Sequence, residues 1–256
     1  MDKRLIAFER LLHIMDDLRE KCPWDKEQTM ESLRQLTIEE TYELADAILK
    51  KDLEEVKKEL GDLFLHLVFY AKIGSEKGAF DISDVLNGIC DKLIHRHPHI
   101  YGDVQADTPE KVKQNWEALK LKEGKSSVLE GVPVSLPALV KALRIQEKAA
   151  GIGFDWDNKD QVLEKVMEEW NELKVEVDNN NPDAMEAEFG DLLFALINYA
   201  RFIGVVPENA LARTNRKFID RFQWMEQEMK KDGLILQELK LDDWDVYWNK
   251  SKKFFI

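Results

Sequence analysis

Two groups of five acidic residues recur along the chain with the same internal spacing. In chain order they are Glu39, Glu40, Glu43, Glu59 and Asp62, and then Glu168, Glu169, Glu172, Glu188 and Asp191. A constant shift of 129 residues carries the first group onto the second. Clustered carboxylates repel one another unless a cation neutralises them, and hard oxygen ligands favour Mg²⁺ or Mn²⁺. The pattern therefore predicts one metal site in each half of the chain.

Helix geometry explains how the acids of each group would meet. Within each group, acids three or four positions apart share one helix face. Glu43 and Glu59 are each eight residues from Lys51, so an antiparallel hairpin that turns at Lys51 would place them at the same height. The second copy repeats this arrangement around Asn180, inside an Asn-Asn-Asn-Pro-Asp run that is typical of turns.

Two alternatives compete with a magnesium site. In an acidic chain such residues can simply form solvated helix faces, but five acids keep their register in both copies while neighbours such as Thr41 and Lys57 change type. A carboxylate-bridged di-iron centre needs Glu-x-x-His pairs, which the acid groups lack. His66 follows Asp62 by one turn, yet the second copy has Ala195 there, so we do not expect a required histidine ligand.

Basic and aromatic residues also repeat, downstream of the acids. They are Lys92, Arg96, Trp116 and Lys120 in the first copy, and Lys217, Arg221, Trp248 and Lys252 in the second. Cations suit phosphates, and an indole ring can stack on a base. We therefore interpret both sets as candidate substrate-binding residues. The alternative is that the Lys and Arg residues are ordinary side chains on helix surfaces and that the tryptophan belongs to the core. The histidine-rich segment HRHPHI is predicted to be a helix end, because Pro98 interrupts helical ligand spacing.

The elements that would position these residues are all helices. Apolar residues recur at helical spacing, and no sustained alternating run indicates a strand. The predicted helices are 2–20, 27–49, 53–77, 81–97, 108–121, 137–150, 158–178, 183–204, 207–231 and 242–252. The fold class is thus all-α, a tandem duplication of a helical domain. The predicted domains are residues 1–121 and 137–256, joined by a Gly-, Ser- and Pro-containing linker at 122–136.

Composition narrows the class of function. The 256-residue chain has 50 acidic and 37 basic residues, a net charge of −13, which argues against direct nucleic-acid binding. Its two cysteines are too few for a disulfide framework. We find neither a signal peptide nor an apolar run long enough for a membrane span. The expectation is a cytoplasmic protein without a membrane partner.

Longer motifs extend the pattern across nearly the whole chain. They are CPWDKEQT, EETYE followed by ELGD, HRHPHIYGD, EEWNE, EFGD, TNRKF and DVYWNK. With these motifs the chain resembles the MazG family of nucleoside triphosphate pyrophosphohydrolases, in its two-domain form. The resemblance implies an intertwined homodimer and Mg²⁺-dependent cleavage of NTP and dNTP substrates between the α- and β-phosphates. The products would be a nucleoside monophosphate and pyrophosphate, with broad specificity and a role in nucleotide-pool housekeeping.

The resemblance also implies a division of labour between the copies. In two-domain relatives the C-terminal copy is usually the catalyst, so the predicted catalytic residues are Glu169, Glu172, Glu188 and Asp191. The N-terminal copy keeps all five acids, so it does not show the loss of acids that is expected of an inactive copy. For at least this copy, a non-catalytic regulator that binds nucleotide or a partner protein is the alternative.

Overall fold

Every regular element in the described part of the chain is a helix. A computed structural model describes residues 2–108, 111–112, 115–116, 119 and 127–255, and no strand occurs in those ranges. This confirms the predicted all-α fold. The chain divides into two units, residues 1–108 and 109–256. The predicted boundaries at 121 and 137 stay predictions, since residues 120–126 lie outside the described ranges.

The first unit contains α1 (Lys3–Lys21), α2 (Pro23–Glu27), α3 (Met30–Lys50), α4 (Leu53–Glu76), α5 (Ile82–Arg96) and α6 (Pro98–Tyr101). Side-chain caps mark the starts of α1, α3, α4 and α5. Thr29 and Ser32 form a capping box at the start of α3. The Asp52 carboxylate accepts the first backbone N–H groups of α4. These caps fix where the two acid-bearing helices start.

The second unit repeats the long hairpin and adds a further helix pair. Its helices are α7 (Ala138–Ala150), α8 (Lys159–Asp178), α9 (Pro182–Phe202), α10 (Pro207–Lys231), a 3-10 turn (Leu236–Glu238) and α11 (Leu241–Ser251). The predicted bounds of the long helices differ from these by three residues or fewer. The predicted helix 108–121 is described only at residues 111–112, 115–116 and 119, which are helical.

Apolar cores hold each hairpin together. In the first unit Met15, Leu33 and Phe69 are buried among α1, α3 and α4. In the second unit Val166 and Leu192 belong to a core between α8 and α9. Burial of such side chains is the main stabilising contribution to the packing, at about 1.5 to 3 kcal/mol for each large residue.

The apolar residues that recur at helical spacing form a stripe along α4 and another along α9, and part of each stripe stays exposed. On α4, Leu60, Phe64 and Leu67 are about half exposed, and so are the equivalent residues Phe189, Leu193 and Leu196 on α9. The hairpins therefore carry apolar surface that their own units do not cover. Among the helices that the structure describes, none alone is long and apolar enough to cross a membrane. Within the same described ranges, one bent pair, α9–α10 with its 103° turn, passes the test by length and composition.

Candidate functional site

Both acid-bearing hairpins turn through a single left-handed residue. Lys51 has φ 57° and Asn180 has φ 51°, and these are the two non-glycine residues with positive φ in the described chain. Backbone N–H groups at each turn close onto carbonyls of the preceding helix, from Asp52 to Ala47 and from Asn181 to Glu176. The predicted turn positions are confirmed.

The first hairpin brings three glutamates together, which we call the N-terminal triad. Carboxylate oxygens of Glu40, Glu43 and Glu59 lie within 4.8 Å of one another. Glu59 is buried, with 8 % of its surface exposed, Glu40 is half-buried and Glu43 is exposed. The triad thus forms a patch with one open side, where a cation and a substrate could enter.

Electrostatics in the N-terminal triad favour a bound cation. Burial raises the pKa of Glu40, and the charges of Asp62, Glu43 and Glu59 raise it further. The pKa of Glu59 is raised by burial and then by Glu43 and Asp62, while a hydrogen bond with Glu40 acts in the opposite direction. Carboxylates that repel each other in this way either take up protons or recruit a metal.

The second hairpin repeats the arrangement as the C-terminal triad. Carboxylate oxygens of Glu169, Glu172 and Glu188 lie within 4.8 Å of one another. Glu169 is buried, with 6 % exposed, while Glu188 is half-buried and Glu172 exposed. Burial raises the pKa of Glu188, and the charges of Glu172, Asp191 and Glu169 add to that effect.

Lys165 is a site residue that the sequence comparison missed. Its Nζ lies 2.7 Å from Glu169 Oε1 and 2.8 Å from Glu168 Oε1, and its pKa is raised by these partners. The first copy has Leu36 at the matching position. The sequence does indicate this role, because a lysine three residues before one acid and four residues before another can form ion pairs along a helix. Lys165 does not belong to the residues that both copies share.

The other predicted acids lie outside the two triads. Glu39, Asp62, Glu168 and Asp191 are not among the carboxylates within 4.8 Å of one another. Asp62 and Asp191 still contribute charge, since each raises the pKa of a triad glutamate. Glu168 is held by Lys165. The structure therefore brings three of each group of five into direct proximity.

The basic and aromatic residues of the second copy form their own cluster on α10 and α11. Arg221 Nε donates to the Phe255 carbonyl oxygen at 3.0 Å, and its guanidinium lies 5.4 Å from the Trp248 ring centre. Lys252 Nζ donates to Asn249 Oδ1 at 2.9 Å. Lys217 lies one turn before Arg221. In the described ranges, no hydrogen bond or ion pair joins this cluster to the acids of α8 and α9.

The corresponding residues of the first copy are only partly described. Lys92 and Arg96 lie on α5, where Lys92 is exposed and Arg96 is half-buried. Trp116 is helical and half-buried, and Lys120 lies outside the described residues. Their predicted roles in substrate binding stay predictions.

Two histidines, His66 and His97, are buried or hydrogen-bonded within the helical framework. His97 lies between α5 and α6, and its Nδ1 is 2.7 Å from the Leu93 carbonyl oxygen, so the predicted helix end is confirmed. His66 is buried, which lowers its pKa, while Asp62 acts in the opposite direction.

The chemistry of the triads suits a divalent cation. Oxygens around Mg²⁺ stand at about 2.1 Å from the ion, hence about 3 to 4 Å from one another. Oxygens already within 4.8 Å need only small side-chain movements to reach that spacing. Raised pKa values in Glu40, Glu59 and Glu188 mean that a cation relieves existing repulsion. Residues of both triads could therefore hold such an ion.

Comparison with known proteins identifies the family. The MazG nucleotide pyrophosphohydrolase domain matches the chain twice, at residues 28–101 and 158–225. The chain belongs to the MazG family. The two matched ranges contain the two triads, so both copies of the duplication are MazG domains. Trp248 and Lys252 lie beyond the second match, and residues 102–157 lie between the two matches.

Several relatives resemble this MazG chain over most of its length. A nucleoside triphosphate pyrophosphohydrolase/pyrophosphatase MazG of Thermotoga maritima is 47 % identical over 252 residues, 96 % of each chain. A nucleoside triphosphate pyrophosphohydrolase of Escherichia coli K12 is 41 % identical over 254 residues, 96 % of this chain and 97 % of that one. A crystal structure of a MazG-related protein from Thermotoga maritima aligns at TM-score 0.40 and 27 % identity, covering 44 % of this chain and 98 % of that one.

Proposed function

We propose that the chain hydrolyses nucleoside triphosphates between the α- and β-phosphates, giving a nucleoside monophosphate and pyrophosphate. The observation that carries the proposal is the pair of triads, each with three carboxylates within 4.8 Å, in a chain 47 % identical to a named pyrophosphohydrolase. Broad acceptance of NTP and dNTP substrates, and a role in nucleotide-pool housekeeping, follow from the family resemblance. The compartment we propose is the cytoplasm.

Magnesium is the proposed cofactor, with Mn²⁺ as a substitute. Glu169, Glu172 and Glu188 would hold it in the second copy, with Asp191 close by to complete the charge. A bound Mg²⁺ neutralises phosphate oxygens and lowers the pKa of a coordinated water. A need for this ion would explain why so many acids lie in one patch.

The side chains of the triad would also handle protons. One triad glutamate would accept the proton of the attacking water. Exposed Glu172 lies on the open side of the patch, where water and the triphosphate can approach.

Phosphate binding would fall to the basic residues of α10 and α11. Lys217, Arg221 and Lys252 provide cations, and Trp248 is already packed beneath the Arg221 guanidinium. We further propose a homodimer, because the exposed apolar residues of α4 and α9 need a cover that their own units do not provide. A second copy of the chain carries the same apolar surfaces and can supply it.

Product analysis tests the proposal directly. Purified protein is incubated with a triphosphate and Mg²⁺ in ¹⁸O-labelled water, and the products are separated by anion exchange. We expect pyrophosphate and the monophosphate as the first products, complete loss of reaction in EDTA, and strong loss in Glu172→Gln. A nucleoside diphosphate with orthophosphate as the first products would disprove α–β cleavage.

A further inference from the structure

Residues 252–255, which we call the C-terminal tail, fold back onto α10 and reach Arg221. The backbone N–H groups of Phe254 and Phe255 both donate to the Ser251 carbonyl oxygen, at 3.0 and 3.2 Å, so the chain turns sharply after α11. Beyond this turn the Phe255 carbonyl oxygen accepts two hydrogen bonds from Arg221, from Nε at 3.0 Å and from Nη2 at 2.5 Å. The tail thus contacts one of the basic residues to which phosphate binding is assigned above.

The tail can reach Arg221 because α11 is fixed along α10. Met225 and Met229 of α10 are 2 % and 0 % exposed, and they form a core with Tyr247 of α11. The Tyr247 hydroxyl also donates to Asp232 Oδ2 at 2.5 Å, which ties α11 to the residue that follows α10. Apolar burial and this hydrogen bond therefore determine where α11 ends and where the tail starts.

Further contacts hold the tail itself in one conformation. The Phe254 ring packs on the Trp224 ring of α10, with the ring centres 5.1 Å apart. Ser251, which precedes the tail, is completely buried, and its hydroxyl donates to the Trp248 carbonyl oxygen at 2.8 Å. Chain segments near a terminus are ordered only where such contacts tie them down. The tail is therefore a docked element and not a frayed helix end.

The guanidinium of Arg221 is held on one edge and on one face. A guanidinium carries five N–H donors, one on Nε and two on each terminal nitrogen. The Phe255 carbonyl oxygen takes the edge formed by Nε and Nη2, and Cζ lies 5.4 Å from the centre of the Trp248 ring. Within the described part of the chain, no other hydrogen bond or ion pair involves Arg221. The edge formed by Nη1 and the second N–H of Nη2 is left for a ligand.

That remaining edge has the geometry that a phosphate group requires. Two N–H groups on neighbouring nitrogens of a guanidinium match two oxygens of one phosphate. An unrestrained arginine side chain must lose rotational freedom before it makes this contact, and the loss weakens binding. Arg221 has already lost that freedom in the unliganded protein, because its other edge is hydrogen-bonded to the tail.

The equivalent arginine of the first copy lies at a different place in its helix. A shift of 125 residues takes Arg96 to Arg221. Arg96 is the last residue of α5, whereas α10 continues beyond Arg221 to Lys231. The two turns of α10 that carry Met225 and Met229 therefore have no counterpart within α5. Support of the kind that the tail gives to Arg221 cannot be built on α5 in the same way.

We propose that the C-terminal tail positions Arg221 for phosphate binding, and that the Phe255 carbonyl oxygen is the contact that fixes the guanidinium. Phe255 acts through Arg221 and does not touch the substrate. This inference rests on the proposed function, because the ligand is the phosphate chain of a nucleoside triphosphate. The opposite role is a tail that competes with phosphate for Arg221, and it predicts the opposite change in affinity when the tail is loosened.

Binding of an uncleavable nucleotide tests the role of the tail without turnover. Calorimetric titrations use an α,β-methylene nucleoside triphosphate with Mg²⁺, because this analogue resists α–β cleavage. Phe254→Gly combined with Phe255→Gly removes the contact with Trp224 and loosens the backbone of the tail. This variant should raise the Kd of the analogue by about three- to tenfold, since Arg221 must then be ordered on binding. Val134→Gly is the matched control and should leave the Kd unchanged, because Val134 is 90 % exposed and lies outside the tail.

Two further measurements show whether the tail acts through Arg221. A chain that stops after Lys253 lacks the Phe255 carbonyl group and should show the same rise in Kd. In steady-state assays both tail variants should raise KM more than they lower kcat, because a weakened phosphate contact affects substrate binding. In an Arg221→Met background the tail changes should have no further effect on Kd, since the residue through which they act is absent.

All variants are compared at matched circular dichroism. Unchanged Kd values in both tail variants would overturn the assignment, and so would losses that add to the loss in Arg221→Met, or a wild type that does not bind the analogue. Tighter binding in the tail variants would show that the tail competes with phosphate. A rise in Kd supports the tail assignment even where the wild type releases no pyrophosphate and the proposed activity fails. Pyrophosphate release by the wild type, with unchanged Kd values in the tail variants, contradicts only the tail assignment.

Discussion

Lys165 Nζ lies 2.7 Å from Glu169 Oε1, whereas the matching position of the first copy holds Leu36. Leu36 packs against the apolar core of the first unit, so no cation can occupy its place. The C-terminal triad is therefore partly neutralised by the chain itself, and the N-terminal triad lacks this neutralisation. The two sites should differ in how strongly they depend on a divalent cation.

Removing the lysine charge tests this difference. Lys165→Met should lower the metal-free unfolding free energy by about 1 kcal/mol, because the ion pairs are partly exposed. The thermal midpoint should fall by about 2 to 4 °C. Calorimetry with Mg²⁺ should then show a larger stabilisation than in the wild type. Leu36→Arg is not a suitable reciprocal change, since that position packs on the core. A metal-free midpoint equal to that of the wild type would mean that the ion pairs contribute nothing.

The raised pKa values predict an unusual dependence of stability on pH. Glu40, Glu59 and Glu188 have pKa values above the ordinary 4.5, so the folded state binds more protons than the unfolded state just above that pH. The free energy of unfolding therefore falls as pH rises through this interval, and the stabilising effect is fully present only below the unfolded pKa. Without metal, these three carboxylates should raise the midpoint as pH is lowered from about 7.5 towards about 4.5, whereas buried His66, whose pKa is lowered, should act in the opposite direction near pH 6.5.

Mg²⁺ provides the control for the pH experiment. It should stabilise the protein more at the higher pH, where the carboxylates are charged, and Glu188→Gln should reduce the effect. Thermal scans in EDTA and in Mg²⁺ at both pH values measure this. A metal-free pH dependence of the midpoint that is the same in Glu188→Gln as in the wild type would contradict the electrostatic account of the C-terminal triad.

Single substitutions in the two triads separate the contributions of the copies. Glu172→Ala should lower the rate of pyrophosphate release by at least about tenfold, because one ligand of the proposed ion is lost. Glu43→Ala occupies the equivalent position in the N-terminal triad and should leave most of the rate. Equal losses, at matched circular dichroism and oligomeric state, would show that both copies share catalysis.

The exposed apolar stripes predict the assembly state. Light scattering at micromolar concentration should give the mass of a homodimer. Phe64→Glu on α4 and Leu196→Glu on α9 each place a charge in a stripe, at residues that are 50 % and 43 % exposed, and should shift the population to monomer. Val134→Glu is the control, since this residue is 90 % exposed and lies outside the hairpins. A monomeric wild type would exclude the proposed interface.

Most of the helical framework follows from local sequence signals. The long helices appear where apolar spacing predicts them, because capping residues such as Thr29, Asp52 and Asn181 fix their starts. The short helices α2 and α6 were not predicted, since elements of five and four residues carry too little periodicity. The distances from Lys51 and Asn180 along the chain correctly predict which glutamates face each other, because each hairpin turns through that one residue.

The sequence predicted two groups of five acids, and the structure brings three acids of each group together. Identical spacing in the two copies indicated Glu43 and Glu172, because most other acids of this acidic chain have no counterpart at the matching position. The restriction to residues shared by both copies also hid Lys165, whose counterpart is Leu36.

The single left-handed residue at each turn makes the turn a spacer of fixed length. One residue inserted beside Lys51 would rotate α4 about 100° relative to α3 and advance it by about 1.5 Å, which would carry Glu59 away from Glu43. The same holds for Asn180 and the C-terminal triad. Surface loops commonly tolerate insertions. At these two turns an insertion or a deletion would instead dismantle the acid patch while leaving both helices intact, so the count of residues in the turn is itself part of the site.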